Sequence, residues 1–149
     1  MIVRKADRWD IEDIIEMLRH YRSCTPWARL ADCDNEPYVR NLLTHIFAGA
    51  GVIFVSEQDK ELTGMLIALK NNNVWDPDLW MMNELCYWVE PERRGSTAGY
   101  RLLKSYVDYC EELKSNGSIE SYTVTKMVNS PDLNYDKFGF TKLEEMWRA

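Results

Sequence analysis

Arg94-Gly95-Ser96-Thr97-Ala98-Gly99 is the stretch of this chain whose residue types and order could do chemistry. It joins a run of strand-forming residues, Leu79 to Val89, to a helical period that begins near Thr97. A strand that feeds a helix through a tight turn leaves several backbone N–H groups unpaired at the helix N-terminus. The helix dipole adds partial positive charge there, which makes a ready anion site. Gly95 and Gly99 let the backbone approach a phosphate closely, and Arg94 adds a full charge. A pyrophosphate is the natural ligand of such a nest. By these letters alone, an ordinary turn is the rival reading.

Two further residues invite a chemical role. Glu84 stands in an otherwise apolar run, Trp80 to Trp88, where a carboxylate is costly unless it has a task or a partner. Burial there would raise its pKa towards that of a general base, whereas an outward-facing position would leave it a plain solvated side chain. Glu90 competes for that role but sits in the following turn, where exposure to solvent is expected. Tyr135 carries a phenol with an ordinary pKa near ~10, so it stays protonated at neutral pH and could donate a proton. Its rival role is packing at the end of a short helix. Cys86 has no neighbouring His to activate it and reads as a buried structural thiol. His20 reads as the polar edge of a helix.

The elements that must position these residues follow from period and turn chemistry. Ile2 to Lys5 reads as a short strand, and Asp7 or Asp10 can cap a helix with the apolar stripe Ile11, Ile14, Ile15 and Leu18. Ser23 to Asp34 reads as a loop. A second helix follows Asn35-Glu36-Pro37 and stops at Gly49-Ala50-Gly51. Val52 to Ser56 and Leu62 to Leu69 form a hairpin about the turn 58–61, and Leu79 to Val89 is the longest strand. The helix from Thr97 ends at Lys114-Ser115-Asn116-Gly117. Ile119 to Thr125 reads as a strand, Ser130-Pro131 opens a short helix to Lys137, and Thr141 to Trp147 supplies a last strand. The order β-α-α-β-β-β-α-β-α-β predicts an α/β (α+β) fold with helices on both faces of a mixed sheet.

Composition bounds the partners. The 149 residues predict a single domain, 1–149, with one core. A net charge of -6 without a basic stripe argues against nucleic acid and suits a cationic partner such as a protonated amine. No apolar run approaches the ~18 residues of a membrane span, and no secretory signal opens the chain. Four cysteines without a CxxC pair, and two His, predict no metal site and free thiols in a reducing cytoplasm.

The segment Val89-Glu90-Pro91-Glu92-Arg93-Arg94-Gly95-Ser96-Thr97-Ala98-Gly99-Tyr100-Arg101-Leu102-Leu103 resembles the acetyl-CoA-binding segment of the GNAT N-acetyltransferases. That family's pattern is V-x-P-x-x-[QR]-x-x-G-x-[GA] followed by a Leu-rich helix. Arg94 takes the [QR] place and Gly99 the [GA] place, while Thr97 stands where the family usually has Gly. Downstream, Asn129 to Phe140 is similar to the family's terminal block, an Asn-led short helix ending in Y-x-K-x-G-F. The spacing from Asn129 to Tyr135 is one residue shorter than usual.

The resemblance implies a mostly antiparallel sheet splayed at its central strand, with acetyl-CoA as cosubstrate in the gap. Its pantetheine arm would bond to backbone near Trp88 and Val89. Its pyrophosphate would lie on Arg94, Gly95, Ser96, Thr97, Ala98 and Gly99, with Asn129 also at the cosubstrate. An acceptor amine would attack the thioester directly, Glu84 serving as base and Tyr135 as acid. The loop carrying Trp27, Asp32 and Asp34 falls where the family builds its acceptor pocket. The acceptor is left unnamed, and a homodimer, common in the family, is left open. Two other readings stay open: a GNAT-fold module that binds without catalysis, and an interaction protein using Trp75, Trp80 and Trp147.

Overall fold

The computed structural model describes residues 1–131 and 133–149. Asp7 starts the first helical segment. Its side chain accepts from the Trp9 N–H at 2.8 Å, while the Asp10 carboxylate accepts from the Asp7 N–H at 2.8 Å. This reciprocal box satisfies two donors that a helix start leaves orphaned. Helix α1 (Ile11–Ser23) follows. Strand β1 (Ile2–Lys5) is tied to that start because Arg4 forks onto Asp10 at 2.8 and 2.9 Å and also reaches Glu57.

The expected loop 23–34 holds a one-turn helix, α2 (Ala28–Ala31). Helix α3 (Glu36–His45) is capped by the Asn35 side chain on the Tyr38 N–H and continues into a looser turn over Ile46–Ala50. Strands β2 (Gly51–Gln58) and β3 (Glu61–Asn72) form the expected hairpin. Its two turn residues, Asp59 and Lys60, have φ of 54° and 66°. Paired left-handed turn residues match the twist of the flanking strands. Strand β4 (Trp80–Val89) pairs with β3, and helix α4 (Ala98–Ser115) leads to the short strand β5 (Ser121–Thr123).

The sheet runs β1-β2-β3-β4-β5, antiparallel except for the parallel pair β4–β5. That last pairing covers Met81 to Asn83 against Ser121 to Thr123 and stops. Among the described residues, strand β4 has no partner on that side from Glu84 to Val89, so the sheet parts there. On the other side, Ile67 faces Cys86 while Ala68 faces Glu84, leaving Leu85 as the extra residue of a bulge. The bulge changes which face the even-numbered residues present. Met82 packs in the apolar cluster beneath α4, whereas Cys86 and Trp88 pack with α1 and α3.

Three expectations near the C-terminus are corrected. The strand expected over 119–125 pairs over Ser121–Thr123 only. The helix expected from Ser130 to Lys137 contracts to a 3-10 turn, Tyr135–Phe138; its portion at Asp132 lies outside the described residues. The strand expected over Thr141 to Trp147 does not form, and Leu143, Met146 and Trp147 are 84%, 97% and 85% exposed. Thr141 is the one β-branched residue of that segment, and Lys142, Glu144 and Glu145 leave little apolar surface to hold a strand in place. Among the described residues, no helix is long and apolar enough to cross a membrane.

Candidate active site

Where β4 and β5 part, a cavity of about 370 Å³ opens between α1, β4, the N-terminus of α4 and the segment after β5. Glu84, Trp88, Val89, Asn129 and Tyr135 line it, together with Arg94, Gly95, Ser96 and Gly99. The strand-to-helix junction, the strand carboxylate and the downstream phenol therefore share one chamber. A larger, open hollow of about 640 Å³ adjoins it through Tyr87, Tyr100 and Leu133 and carries Lys104 and Lys137.

The junction is a tight turn that runs straight into a helix start. Pro91–Arg93 makes a single 3-10 turn, Gly95 takes φ 88°, and Thr97 precedes α4 with φ -82°. The left-handed residue is thus Gly95, where glycine adopts it without cost, and nothing lies within 4 Å of where a Cβ would sit. Thr97 stands in a region open to any residue, so its departure from the family pattern introduces no backbone strain. The Arg101 N–H bonds the Thr97 carbonyl at 2.9 Å and closes the first helical turn, leaving the Gly99 and Tyr100 amides ahead of it. Ser96 holds the turn: its hydroxyl donates to the Arg93 carbonyl at 2.9 Å and accepts from the Ala98 N–H at 3.2 Å. Ala98 is buried and packs rather than lining the cavity.

Arg94 donates through Nε to the Val89 carbonyl at 2.9 Å, and its guanidinium lies 4.6 Å from the Trp88 ring centroid. Tyr87 reaches across from β4 to donate its hydroxyl to the Gly99 carbonyl, which pins the first turn of α4 to the sheet. A Cβ on Gly99 would stand 3.2 Å from that hydroxyl, so a larger residue there would require the Tyr87 side chain to give by a few tenths of an ångström.

Glu84 is buried, at 5% exposure. Desolvation raises its pKa, and two bonds from Thr125 oppose the rise. Tyr135 opens the 3-10 turn with its ring edge-on to Phe140 at 6.1 Å and 71°. Burial, aided by the Glu84 charge, pushes its phenol up to about 12. Asn129 spans the cavity mouth by donating its amide to the Cys24 carbonyl at 2.8 Å.

The structure does not bring Trp27, Asp32 and Asp34 to the cavity wall. Asp34 lies 3.9 Å from Arg19 and 3.5 Å from Arg22, and Trp27 stacks under Arg148 at 5.4 Å. Glu90, expected in solvent, has a side chain only 12% exposed because His20 of α1 bonds it at 2.8 Å. Cys86 is buried, as expected of a structural thiol. Tyr21, Cys24, Tyr87 and Thr125 line the cavity without having been singled out from sequence. Tyr21 was within reach, since it extends the Ile14, Leu18 stripe of α1 by one more turn.

A mixed five-stranded sheet that parts beside β4, with α1 and α3 on one face and α4 on the other, defines the GNAT acetyltransferase fold. The chain belongs to the acetyltransferase (GNAT) family, whose model matches residues 14–140. It is similar in fold to an acetyltransferase of Trypanosoma brucei, with TM-score 0.68 and 19% identity over 99% of this chain and 97% of that one. A protein of Clostridium acetobutylicum described as a predicted acetyltransferase, solved with acetyl-CoA, matches with TM-score 0.70 and 16% identity over 99% and 94% of the two chains. Glucosamine-6-phosphate N-acetyltransferase of Arabidopsis thaliana matches with TM-score 0.68 and 16% identity over 99% and 96%. No curated protein matches the chain by sequence. At these identities the solved structures speak for the fold alone.

Proposed function

We propose that this chain, acting as one domain over 1–149, moves an acetyl group from acetyl-CoA to a primary amine by direct attack. The observation that carries the reading is the shared cavity: Arg94, Gly95, Ser96 and Gly99 of the anion nest line it together with Glu84 and Tyr135, while Thr97 and Ala98 do not. The pyrophosphate fits the free amides ahead of Arg101 beside Arg94, and the open space at Gly95 leaves room for its close approach. In the adjoining hollow Lys137 suits the phosphorylated nucleoside end, whereas Lys104 is already paired with Asp108 at 2.6 Å.

The chemistry sets two requirements. An alkyl amine titrates near ~10.4 and must lose a proton before it attacks, and the departing thiolate needs a proton because thiols titrate near ~8.5. The C–N bond forms as the C–S bond breaks. Glu84, with its raised pKa, accepts the proton of the amine directly or through a water. Tyr135, protonated throughout the neutral range, donates to the sulfur. Neither step requires a metal.

Mixing the protein with acetyl-CoA and a panel of amines, and following free thiol, tests the reading. CoA release that depends on both an amine and Tyr135 is expected. Binding of acetyl-CoA with no turnover for any amine would overturn the catalytic reading. No binding at all would overturn the cosubstrate site, and Arg94→Ala should weaken that binding by about tenfold.

A further inference from the structure

Tyr87 lines the cavity, yet its polar group is spent on backbone. The hydroxyl donates to the Gly99 carbonyl in the first turn of α4. The bulge at Leu85 is what aims it there. Strand residues alternate faces, so an unbroken β4 would set Tyr87 on the face opposite Met82, which packs beneath α4. The extra residue reverses that parity, and the Tyr87 ring packs with the cluster that holds Met82, Leu102 and Leu103. Gly99 completes the approach, since even a Cβ there would stand 3.2 Å from the hydroxyl.

The bond acts on more than a carbonyl. The Gly99 carbonyl and the Tyr100 N–H belong to one rigid peptide unit, so a group that holds the oxygen also fixes the direction of the N–H. A carbonyl oxygen has two lone pairs, and it takes the phenol without giving up its place in the helix. A donor on the oxygen also polarises the N–H at the other end of the unit, because linked hydrogen bonds strengthen one another. That N–H lies ahead of the Arg101 N–H, which makes the first bond of α4, so it is one of the donors that a helix start leaves unpaired. Tyr87 and Tyr100 line both the cavity and the adjoining hollow, and the peptide unit they flank stands where the two spaces meet.

We propose that Tyr87 is a positioning residue for acetyl-CoA: through the Gly99–Tyr100 peptide unit it directs and strengthens an N–H donor of the pyrophosphate nest. It acts through the backbone and need not touch the phosphates. Its contribution therefore belongs to the phosphate-bearing part of the cosubstrate and vanishes for a thioester that ends at pantetheine. This rests on the cosubstrate site proposed above.

Amide titrations of the 15N-labelled protein with acetyl-CoA and with S-acetylpantetheine, which lacks the pyrophosphate, test it. In the wild-type protein the Tyr100 amide signal should move with acetyl-CoA and move far less with S-acetylpantetheine. Tyr87→Phe keeps the ring and removes the hydroxyl. It should weaken acetyl-CoA by about three- to tenfold, the worth of one neutral hydrogen bond, and leave S-acetylpantetheine within about twofold. The Tyr100 15N signal of the ligand-free variant should shift as well, because its peptide unit has lost a donor. Equal weakening of both ligands would make Tyr87 a plain packing residue, and an unchanged acetyl-CoA affinity would remove it from the site. Either result overturns the inference and leaves acetyl transfer intact. A wild-type Tyr100 amide that ignores bound acetyl-CoA would overturn it without any variant. No binding of acetyl-CoA at all would overturn both the inference and the site it rests on.

Discussion

Thr125 grips one oxygen of Glu84 twice, its backbone N–H at 2.8 Å and its hydroxyl at 2.7 Å from Oε2. Both bonds favour the carboxylate, and burial disfavours it more, so the net pKa is raised. If Glu84 is the base, Thr125 tunes it. Thr125→Val removes the hydroxyl and keeps the N–H, so the pKa climbs further and the acidic limb of the kcat/KM profile moves to higher pH. At pH 6 the loss should be roughly three- to tenfold and should shrink at pH 9, with Thr125→Ser restoring the profile. A limb that does not move in Thr125→Val detaches Glu84 from the profile.

Tyr135 tests the other end of the reaction. Its phenol, pushed up to about 12, remains protonated across any workable pH, so an alkaline limb near pH 8 or 9 would belong to another group. Tyr135→Phe keeps the edge contact with Phe140 and removes the proton. Turnover should fall by about 10²-fold while acetyl-CoA affinity, read by calorimetry, changes less than about twofold. Equal turnover would take Tyr135 out of the mechanism.

What was legible in the chain divides along a physical line. The β4–α4 junction is encoded locally: Pro91, the glycines and the Leu-rich period lie within fifteen residues, and the structure forms the turn where the letters put it. Glu84 announced itself because a carboxylate in an apolar strand has few reasons to be there. Thr125 did not, because its approach to Glu84 depends on where the β4–β5 pairing stops, and three paired residues in place of seven is a matter of tertiary register. Asp34 shows the opposite failure. Its charge suited a cationic acceptor, but Arg19 and Arg22 of α1 lie nearer and take it. The expected C-terminal strand failed for want of partners, since a short segment with one β-branched residue gains too little from pairing.

Gly95 and Thr97 separate backbone geometry from family pattern. At φ 88°, Gly95→Ala must enter the left-handed region at a cost of about 1 kcal/mol, or flatten the turn and withdraw the nest. Acetyl-CoA binding should weaken by about tenfold. Thr97, at φ -82°, already suits an ordinary residue, so Thr97→Gly should leave affinity within about threefold and lower the melting temperature slightly by loosening the unfolded chain. A large gain in affinity for Thr97→Gly would mean that the threonine obstructs the site.

His20 and Glu90 clip α1 to the end of β4, one residue beyond the Val89 carbonyl that Arg94 holds. His20 Nδ1 lies 2.8 Å from Glu90, and Nε2 lies 3.4 Å from Glu16. The bond to Glu90 raises the His20 pKa most, burial opposes it, and the Glu90 and Glu16 charges add to the rise. A raised folded value means that the contribution is fully present below the unfolded pKa of about 6.5 and fades as pH climbs through the folded value. His20→Gln should therefore lower the melting temperature more at pH 5.5 than at pH 8.5. The histidine is half exposed and solvent screens the pair, so the difference should be about 1–3 °C. Glu90→Gln should remove most of the same pH dependence and leave the smaller part due to Glu16. A penalty for His20→Gln that is equal at both pH values would assign the contact to packing and remove the ion pair from the clip.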